Sequence, residues 1–202
     1  MNTRNEPNWL PVRNHIIQSF GKAANICYGE SAVTELEHAL QCAELADDAG
    51  ADEELVIACM LHDVARFAAP QEQISDTLQE TKISEGAMGH GEVAARMMFE
   101  LLPARTLFCI RHHAEAKQYL CQTNPSYRAK LAPASIRTLE IQAAETGQKE
   151  LDSLAEHEWW KDALRVRVWD DSAKQKGKPT KSFAYWTSRL DQFLTSTHSP
   201  ST

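Results

Sequence analysis

The chain has 202 residues, of which 43% are hydrophobic and 24% are charged, so it is long enough to bury a core and has the composition of a soluble globular protein. Its formal net charge of −7 argues against binding nucleic acid through a basic surface, although a local positive pocket for a small anion is compatible with it. No apolar run approaches about 18 residues, so the sequence predicts no membrane-spanning helix.

The cysteines favour a reducing compartment. All five lie singly, without a CxxC pair, and the first residues, MNTRNEPNW, lack the apolar stretch of a secretion signal. Free thiols in the cytosol fit this pattern. We therefore expect a cytoplasmic protein that is a monomer or a small homo-oligomer, with no nucleic-acid partner and no membrane partner.

Apolar periodicity predicts helices along the whole chain and no strands. A capping box at Thr34 and Glu37 begins a helix that Gly50 ends. The polar stretch from Ala68 to Ala87 has no period and predicts a long loop. The other predicted helices cover 10–20, 52–67, 88–102, 104–120, 133–145, 151–171 and 183–194.

These elements predict an all-α fold that forms one globular unit. We divide the chain into an N-terminal helix and linker over 1–26, the main helical domain over 27–195, and a frayed tail over 196–202. The N-terminal helix is expected to pack on the main domain rather than to fold by itself.

Histidines and aspartates recur within the predicted apolar helices, about one candidate metal ligand per helix. Imidazole and carboxylate groups suit iron, manganese and zinc. A lone buried histidine is usually an ordinary core residue, but a whole series in this order predicts a metal centre, in which cations compensate the burial of the aspartates. The candidates are His38, His62, Asp63, His90, one of His112 and His113, and one of Asp170 and Asp171.

This order resembles that of the HD-domain superfamily, an all-helical metal-binding fold whose members are mostly phosphohydrolases. Several segments are similar to a smaller branch that uses two irons and molecular oxygen to cleave the C–P bond of hydroxylated aminoethylphosphonates. The similar segments lie between residues 28 and 174 and are YGESAVTELEHALQCAELA, MGHGEVAARMM, HHAEAKQYL, PASIRTLEIQ and RVRVWDDSAK.

The resemblance implies a single HD domain with an embedded dinuclear site that holds a mixed-valent Fe(II)/Fe(III) pair, with O2 as co-substrate. In the ligand pairs left open above, it favours His113 over His112 and Asp170 over Asp171. It assigns one iron to His38, His62, Asp63 and Asp170, and the other to Asp63, His90 and His113, so that Asp63 bridges the two.

The resemblance also implies residues that meet the substrate. Lys117, Ser135 and Arg167 fall where the branch contacts the phosphonate, and a lysine charge with an arginine fork suits a dianionic head group. Tyr28 matches a tyrosine that occupies an iron position until substrate displaces it. Glu30 lies one position from the expected place of an amine-sensing glutamate.

One position departs from the branch, whose motif is HD-x-G-H. Here Ala65 and Arg66 replace the glycine and the second histidine. Arg66 lies one helical turn beyond His62, so we expect it to face the same cavity and to contact the substrate. Tyr28, Glu30 and Arg66 are the predicted catalytic residues.

The function implied is oxygen-dependent cleavage of an organophosphonate. The first expectation is that (1R)-1-hydroxy-2-(trimethylammonio)ethylphosphonate gives glycine betaine and phosphate, or that the free amine gives glycine and phosphate. The alternative is an HD-type metal-dependent phosphohydrolase, in which the same ligands activate water. A non-catalytic nucleotide-binding module is a less favoured interpretation, because the set of metal ligands is complete. An inositol-type oxygenase is also less favoured, because Lys117 with Arg167 suits a phosphonate better.

Overall fold

The computed structural model describes residues 7–29, 31–68, 89–143 and 146–199. Within these ranges the fold is all-α, as predicted, and the only β pairing is an isolated bridge between Cys27 and Thr34. The helices are α1 (Leu10–Ala23), α2 (Glu35–Asp48), α3 (Glu53–Leu61), a 3-10 turn (Val64–Arg66), α4 (His90–Met97), α5 (Ala104–Thr123), α6 (Pro125–Arg128), α7 (Pro133–Ala143), α8 (Gln148–Ala155), α9 (Trp160–Ser172) and α10 (Phe183–Thr197).

Helices α2, α3, α5 and α9 form the centre of the fold. Helix α5 packs against α3, α4 and α9, and α2 packs against α3 and α9. Helix α3 is apolar on all sides, and every residue from Leu55 to Leu61 is buried. Because interiors are close-packed and resist displacement, the residues that follow Leu61 are held in fixed positions.

The start and the end of α2 follow the predicted signals. Thr34 Oγ1 accepts a hydrogen bond from the Glu37 N–H at 3.1 Å, and the Thr34 N–H donates to Glu37 Oε2 at 2.7 Å. After the helix, Gly50 adopts φ +70°, the left-handed conformation that glycine tolerates best. The capping box fixes the first turn of α2, from which His38 projects into the interior.

Two predicted helices are wrong in extent. The helix predicted over 52–67 ends at Leu61, because Asp63 leaves the helical region with φ −103° and ψ 8°. The helix predicted over 151–171 is two helices, broken where the Trp159 N–H donates to His157 Nδ1 at 3.3 Å and the His157 ring stacks on Phe108. Neither break contains glycine or proline, so tertiary contacts set both.

Other elements differ from the prediction by less. Helix α4 ends at Met97, five residues before the predicted end, and the short helix α6 was not predicted. Helix α10 runs through Thr197, past the predicted start of the tail. The loop predicted over 68–87 lies, apart from Ala68, outside the described residues. None of the described helices is long and apolar enough to cross a membrane.

Two glycines with open space around them provide a test of helix termination. No atom lies within 4 Å of a Cβ built at Gly50 or at Gly21, but only Gly50 has a positive φ. We expect Gly50→Ala to lower the free energy of unfolding by about 1 kcal/mol, since an L side chain is strained in that conformation. Gly21→Ala, inside α1, should raise it by roughly 0.5–1 kcal/mol. Urea unfolding of both variants measures the difference, and equal effects would contradict it.

Candidate metal centre

The six predicted metal ligands come together in one buried cluster. His38 projects from α2, His62 and Asp63 lie at the junction of α3 and the 3-10 turn, and the remaining three come from the helices α4, α5 and α9. None is more than 7% exposed. The last three are His90, His113 and Asp170.

The first group of ligands consists of His38, His62 and one oxygen of Asp63, with Asp170 beside them. His62 Nε2 lies 3.3 Å from Asp63 Oδ2 and 3.3 Å from His38 Nε2. Asp170 completes the group, with Oδ1 3.3 Å from His38 Nε2 and Oδ2 3.7 Å from His62 Nε2. His38, His62 and Asp63 thus form a potential metal-binding group, and the carboxylate of Asp170 lies against both of its imidazoles.

The second group uses the other oxygen of Asp63. Asp63 Oδ1 lies 3.1 Å from His90 Nε2 and 3.7 Å from His113 Nε2, and the two Nε2 atoms are 2.8 Å apart. Asp63 thus presents Oδ2 to one group and Oδ1 to the other. This is the arrangement of a carboxylate that bridges two metal ions, and the described residues contain two potential metal-binding groups that share Asp63.

Backbone carbonyls fix the orientation of three imidazoles. The Nδ1 atoms of His38, His62 and His113 lie 2.9, 2.8 and 2.7 Å from the carbonyl oxygens of Ala173, Cys59 and Ile110. A carbonyl only accepts, so each Nδ1 carries a proton and each Nε2 faces the cluster. Metal-binding histidines are usually held in this way. The donor set and its orientation therefore fit two cations.

The buried carboxylates also make this cluster a favourable place for cations. Burial by itself raises the pKa of Asp63, but the charge of His62 and its hydrogen bond outweigh burial and hold that pKa well below its usual range. Burial lowers the pKa of His62, yet the carboxylates of Asp63 and Asp170 raise it well above its ordinary value. The shifts show that the buried carboxylates favour positive charge beside them, and metal ions can supply that charge.

Gly91 allows α4 to approach α5 closely. A Cβ at this position would lie 2.6 Å from the carbonyl oxygen of Arg111 and 2.9 Å from that of Ile110. Both oxygens belong to the backbone of α5 and cannot move aside without moving the helix. The glycine therefore keeps His90, its neighbour in α4, close to His113 in α5.

Tyr28 lies beside the first ligand group. Its ring stacks on His38 with a centroid distance of 3.7 Å, and its hydroxyl donates to Asp170 Oδ1 at 3.3 Å. Burial and the charge of Asp170 raise the pKa of Tyr28 well above its ordinary value, so the side chain is a neutral phenol.

A cavity of about 250 Å³ opens onto the cluster. Its lining includes the three predicted phosphonate contacts, Lys117, Ser135 and Arg167, together with Tyr28 and Arg66. Arg66 therefore lines the same cavity as the predicted phosphonate contacts. Glu30, the remaining predicted site residue, lies outside the described residues.

Basic side chains form one wall of the cavity. Lys117 Nζ donates to Thr138 Oγ1 at 2.8 Å, and burial, then the charge of Arg167, lowers the pKa of Lys117 to about 7. Arg167 Nη1 lies 2.7 Å from Asp170 Oδ2, and its other nitrogens bind Asp171. Arg167 thus links the basic wall to Asp170, the carboxylate beside the first ligand group.

Several residues of the site were missed by sequence reasoning. Lys174 lines the cavity and lies 3.2 Å from Asp171, which also accepts a hydrogen bond from Tyr127 and orients Arg167. Arg167 and Asp171 lie four residues apart on α9, and Lys174 follows two residues after the helix ends. The four-residue spacing could have indicated the pairing of Arg167 with Asp171. Glu35 and Thr138 had no such signal, because their partners, Arg66 and Lys117, are distant in sequence.

Comparison with known proteins agrees with the fold and the cluster. The HD domain family matches residues 36–150, more than half of the chain. The protein therefore belongs to the HD-domain family.

Three relatives are similar to most of this chain, and two of them have names that state an activity. A (1-hydroxy-2-(trimethylamino)ethyl)phosphonate dioxygenase (glycine-betaine-forming) of Leisingera caerulea is 30% identical over 154 residues, 76% of this chain and 74% of that protein. A hydroxymethylphosphonate dioxygenase of Gimesia maris is 33% identical over 150 residues, 74% and 72% of the two chains. The uncharacterized protein L432 of Acanthamoeba polyphaga mimivirus is 27% identical over 182 residues, 90% and 81% of the two chains.

Adjacent histidines in α5 give a matched test of the metal centre. His113 belongs to the second ligand group, whereas His112 is turned toward Phe108, with ring centroids 4.6 Å apart. We expect His113→Ala to reduce the bound metal from about two ions per chain to about one, because the second group loses an imidazole. His112→Ala should keep both ions. Elemental analysis after purification measures this, and equal metal content in the two variants would contradict the assignment.

Proposed function

We propose that this protein is an iron-dependent oxygenase that cleaves the C–P bond of a 1-hydroxyalkylphosphonate. The observation that carries the proposal is a bridged pair of His/Asp ligand groups in a cavity that also has a wall of Lys117, Arg167 and Lys174. Metal ligands and an anion-binding wall in one small cavity suit a substrate that has both a hydroxyl and a phosphonate group. Two relatives with the names of phosphonate dioxygenases support the same chemistry.

Two iron ions suit the donor set of four imidazoles and two carboxylates. His38, His62, Asp63 and Asp170 would hold one ion, and Asp63, His90 and His113 the other. When bound, a mixed-valent pair supplies the redox chemistry that reaction with O2 requires.

The residues of the basic wall bind and orient the substrate in this proposal. Lys117 offers a point charge and Arg167 a planar fork to the phosphonate, and Ser135 adds a hydroxyl. Lys117, with a lowered pKa, regains full charge beside a dianion, because an adjacent negative charge favours the protonated form. Arg167 also holds Asp170, so the same side chain positions a metal ligand and the substrate.

Tyr28 regulates access to the first ligand group. Its phenol lies against Asp170 and His38, where the substrate hydroxyl must enter. We propose that Tyr28 occupies this position in the resting state and withdraws when the substrate binds.

The overall reaction consumes one O2 and breaks one C–P bond. A substrate of composition R–CH(OH)–PO3²⁻ reacts with O2 to give the carboxylate R–COO⁻, HPO4²⁻ and one proton. The trimethylammonio and free-amine substrates would yield glycine betaine and glycine, and hydroxymethylphosphonate would yield formate.

Oxygen dependence separates this function from phosphoester hydrolysis. We expect the iron-loaded protein to release phosphate from a 1-hydroxyalkylphosphonate with stoichiometric O2 uptake, and to release none under nitrogen. Phosphate and O2 are measured in the same reaction, with hydroxymethylphosphonate and the amino and trimethylammonio 1-hydroxyethylphosphonates as substrates. Asp63→Asn, which weakens the bridge, is the inactive control. Phosphate release from a phosphate ester without O2 would favour the phosphohydrolase and contradict the proposal.

Lys117 provides a test of phosphonate binding. Lys117→Met keeps an unbranched side chain of similar length but removes the charge, so we expect the KM for the phosphonate to rise by about 10–100-fold, the usual loss for a hydrogen bond to a charged group. Metal content should not change. Lys161→Met, at an exposed position of α9, is the matched control. Steady-state kinetics would refute the role if both variants had the same KM.

A further inference from the structure

Arg66 holds a fixed positive charge at the cavity. Its Nε and Nη2 each lie 3.0 Å from Glu35 Oε1, and its Nε lies 4.0 Å from Asp63 Oδ2. The Glu35 side chain is only 3% exposed, whereas that of Arg66 is 21% exposed and lines the cavity. The buried side chain of Glu35, in the first turn of α2, thus holds a guanidinium group at the cavity.

The aromatic surface of the cavity already has cations beside it. Tyr28 is the only tyrosine, tryptophan or phenylalanine among the described residues that line this cavity. Its ring stacks on His38, while the Arg66 guanidinium carbon and Lys174 Nζ lie 5.0 and 5.3 Å from the ring centroid. A trimethylammonium group usually binds an aromatic face. Here it would have to compete with two cations of the protein for the same ring.

The carboxylates near the cavity already have partners in the protein. Asp63 and Asp170 are the acidic residues among its described lining. Asp63 belongs to both potential metal-binding groups, and Asp170 contacts His38, His62 and Arg167. Of the acidic residues behind the lining, Glu35 is paired with Arg66 and Asp171 with Arg167. None of these carboxylates is left to balance an ammonium group on the substrate.

We propose that Arg66, held by Glu35, is a specificity-determining residue that selects 1-hydroxyalkylphosphonates without a positive charge on the carbon side. The substrate class is then a 1-hydroxyalkylphosphonate in which R is hydrogen or a neutral or anionic group. This rests on the proposed function and replaces the trimethylammonio substrate to which the sequence resemblance points. Glu35 is a positioning residue that acts through Arg66.

The test compares ligands that differ in charge but hardly in shape. In 1-hydroxypropylphosphonate a methyl group replaces the ammonium group of 2-amino-1-hydroxyethylphosphonate. We expect the kcat/KM of the iron-loaded protein to be at least 10-fold higher for the propyl compound. Arg66→Gln should reduce this ratio by at least 10-fold, and Arg66→Lys, which keeps the charge, should retain most of it. A wild-type preference for the ammonium compound, or an unchanged ratio in Arg66→Gln, would overturn the proposal.

Binding without turnover provides a second readout. Calorimetric titration of both compounds into the iron-loaded protein under nitrogen should give a lower Kd for the propyl compound than for the ammonium compound. Glu35→Gln should reduce the ratio of the two Kd values without loss of metal. Glu35→Gln also serves if Arg66→Gln does not fold. Glu30→Gln tests the opposite explanation. If wild type binds the ammonium compound more tightly, and Glu30→Gln weakens the binding of that compound alone, then the ammonium group has an acidic partner of its own and the proposal fails.

The two proposals fail in different ways. If no phosphonate releases phosphate with O2 uptake, the proposed function is wrong, while the anaerobic ranking of the two compounds still decides the role of Arg66. If phosphate is released with O2 uptake but the ammonium compound is preferred, the proposed function stands and the selection by Arg66 is wrong.

Discussion

The carboxylate of Asp63 lies between two pairs of imidazoles, and the rest of the site is arranged around it. One oxygen faces His38 and His62, and the other faces His90 and His113. A buried carboxylate is costly unless cations and hydrogen bonds compensate it. The helices that pack around Asp63 supply that compensation, because each contributes a side chain to the cluster or supports one that does.

The environment of the cluster links metal binding to substrate binding. Arg167 pairs with Asp170 and lines the cavity, and Tyr28 contacts both Asp170 and His38. Arg66 lies near Asp63 and over the ring of Tyr28, and it is held by Glu35. The groups that would meet a substrate are therefore also the groups that stabilise the buried carboxylates, and a change in one affects the other.

Most of the cluster could be predicted because ligands and helix signals are local in sequence. The capping box at Thr34 and the apolar stretch before His62 predict which helices carry the ligands. The end of α3 was predicted wrongly, because no local signal marks it. The backbone leaves the helix at Asp63, where the side chain meets imidazoles from α2, α4 and α5. The break at His157 has the same origin, since its partner Phe108 belongs to another helix.

The sequence by itself determined the all-α class and the candidates His38, His62, Asp63 and His90, since these depend on periodicity and on residue types in a fixed order. The choice of His113 over His112 and of Asp170 over Asp171 came from the family resemblance. Only the tertiary structure decided which oxygen of Asp63 faces which imidazole pair, and that Glu35 holds Arg66 over Tyr28. The orientation of a buried charged side chain depends on the partners that it pairs with, and here those partners are distant in sequence. No local pattern encodes such a partner, because helix packing alone brings the two side chains together.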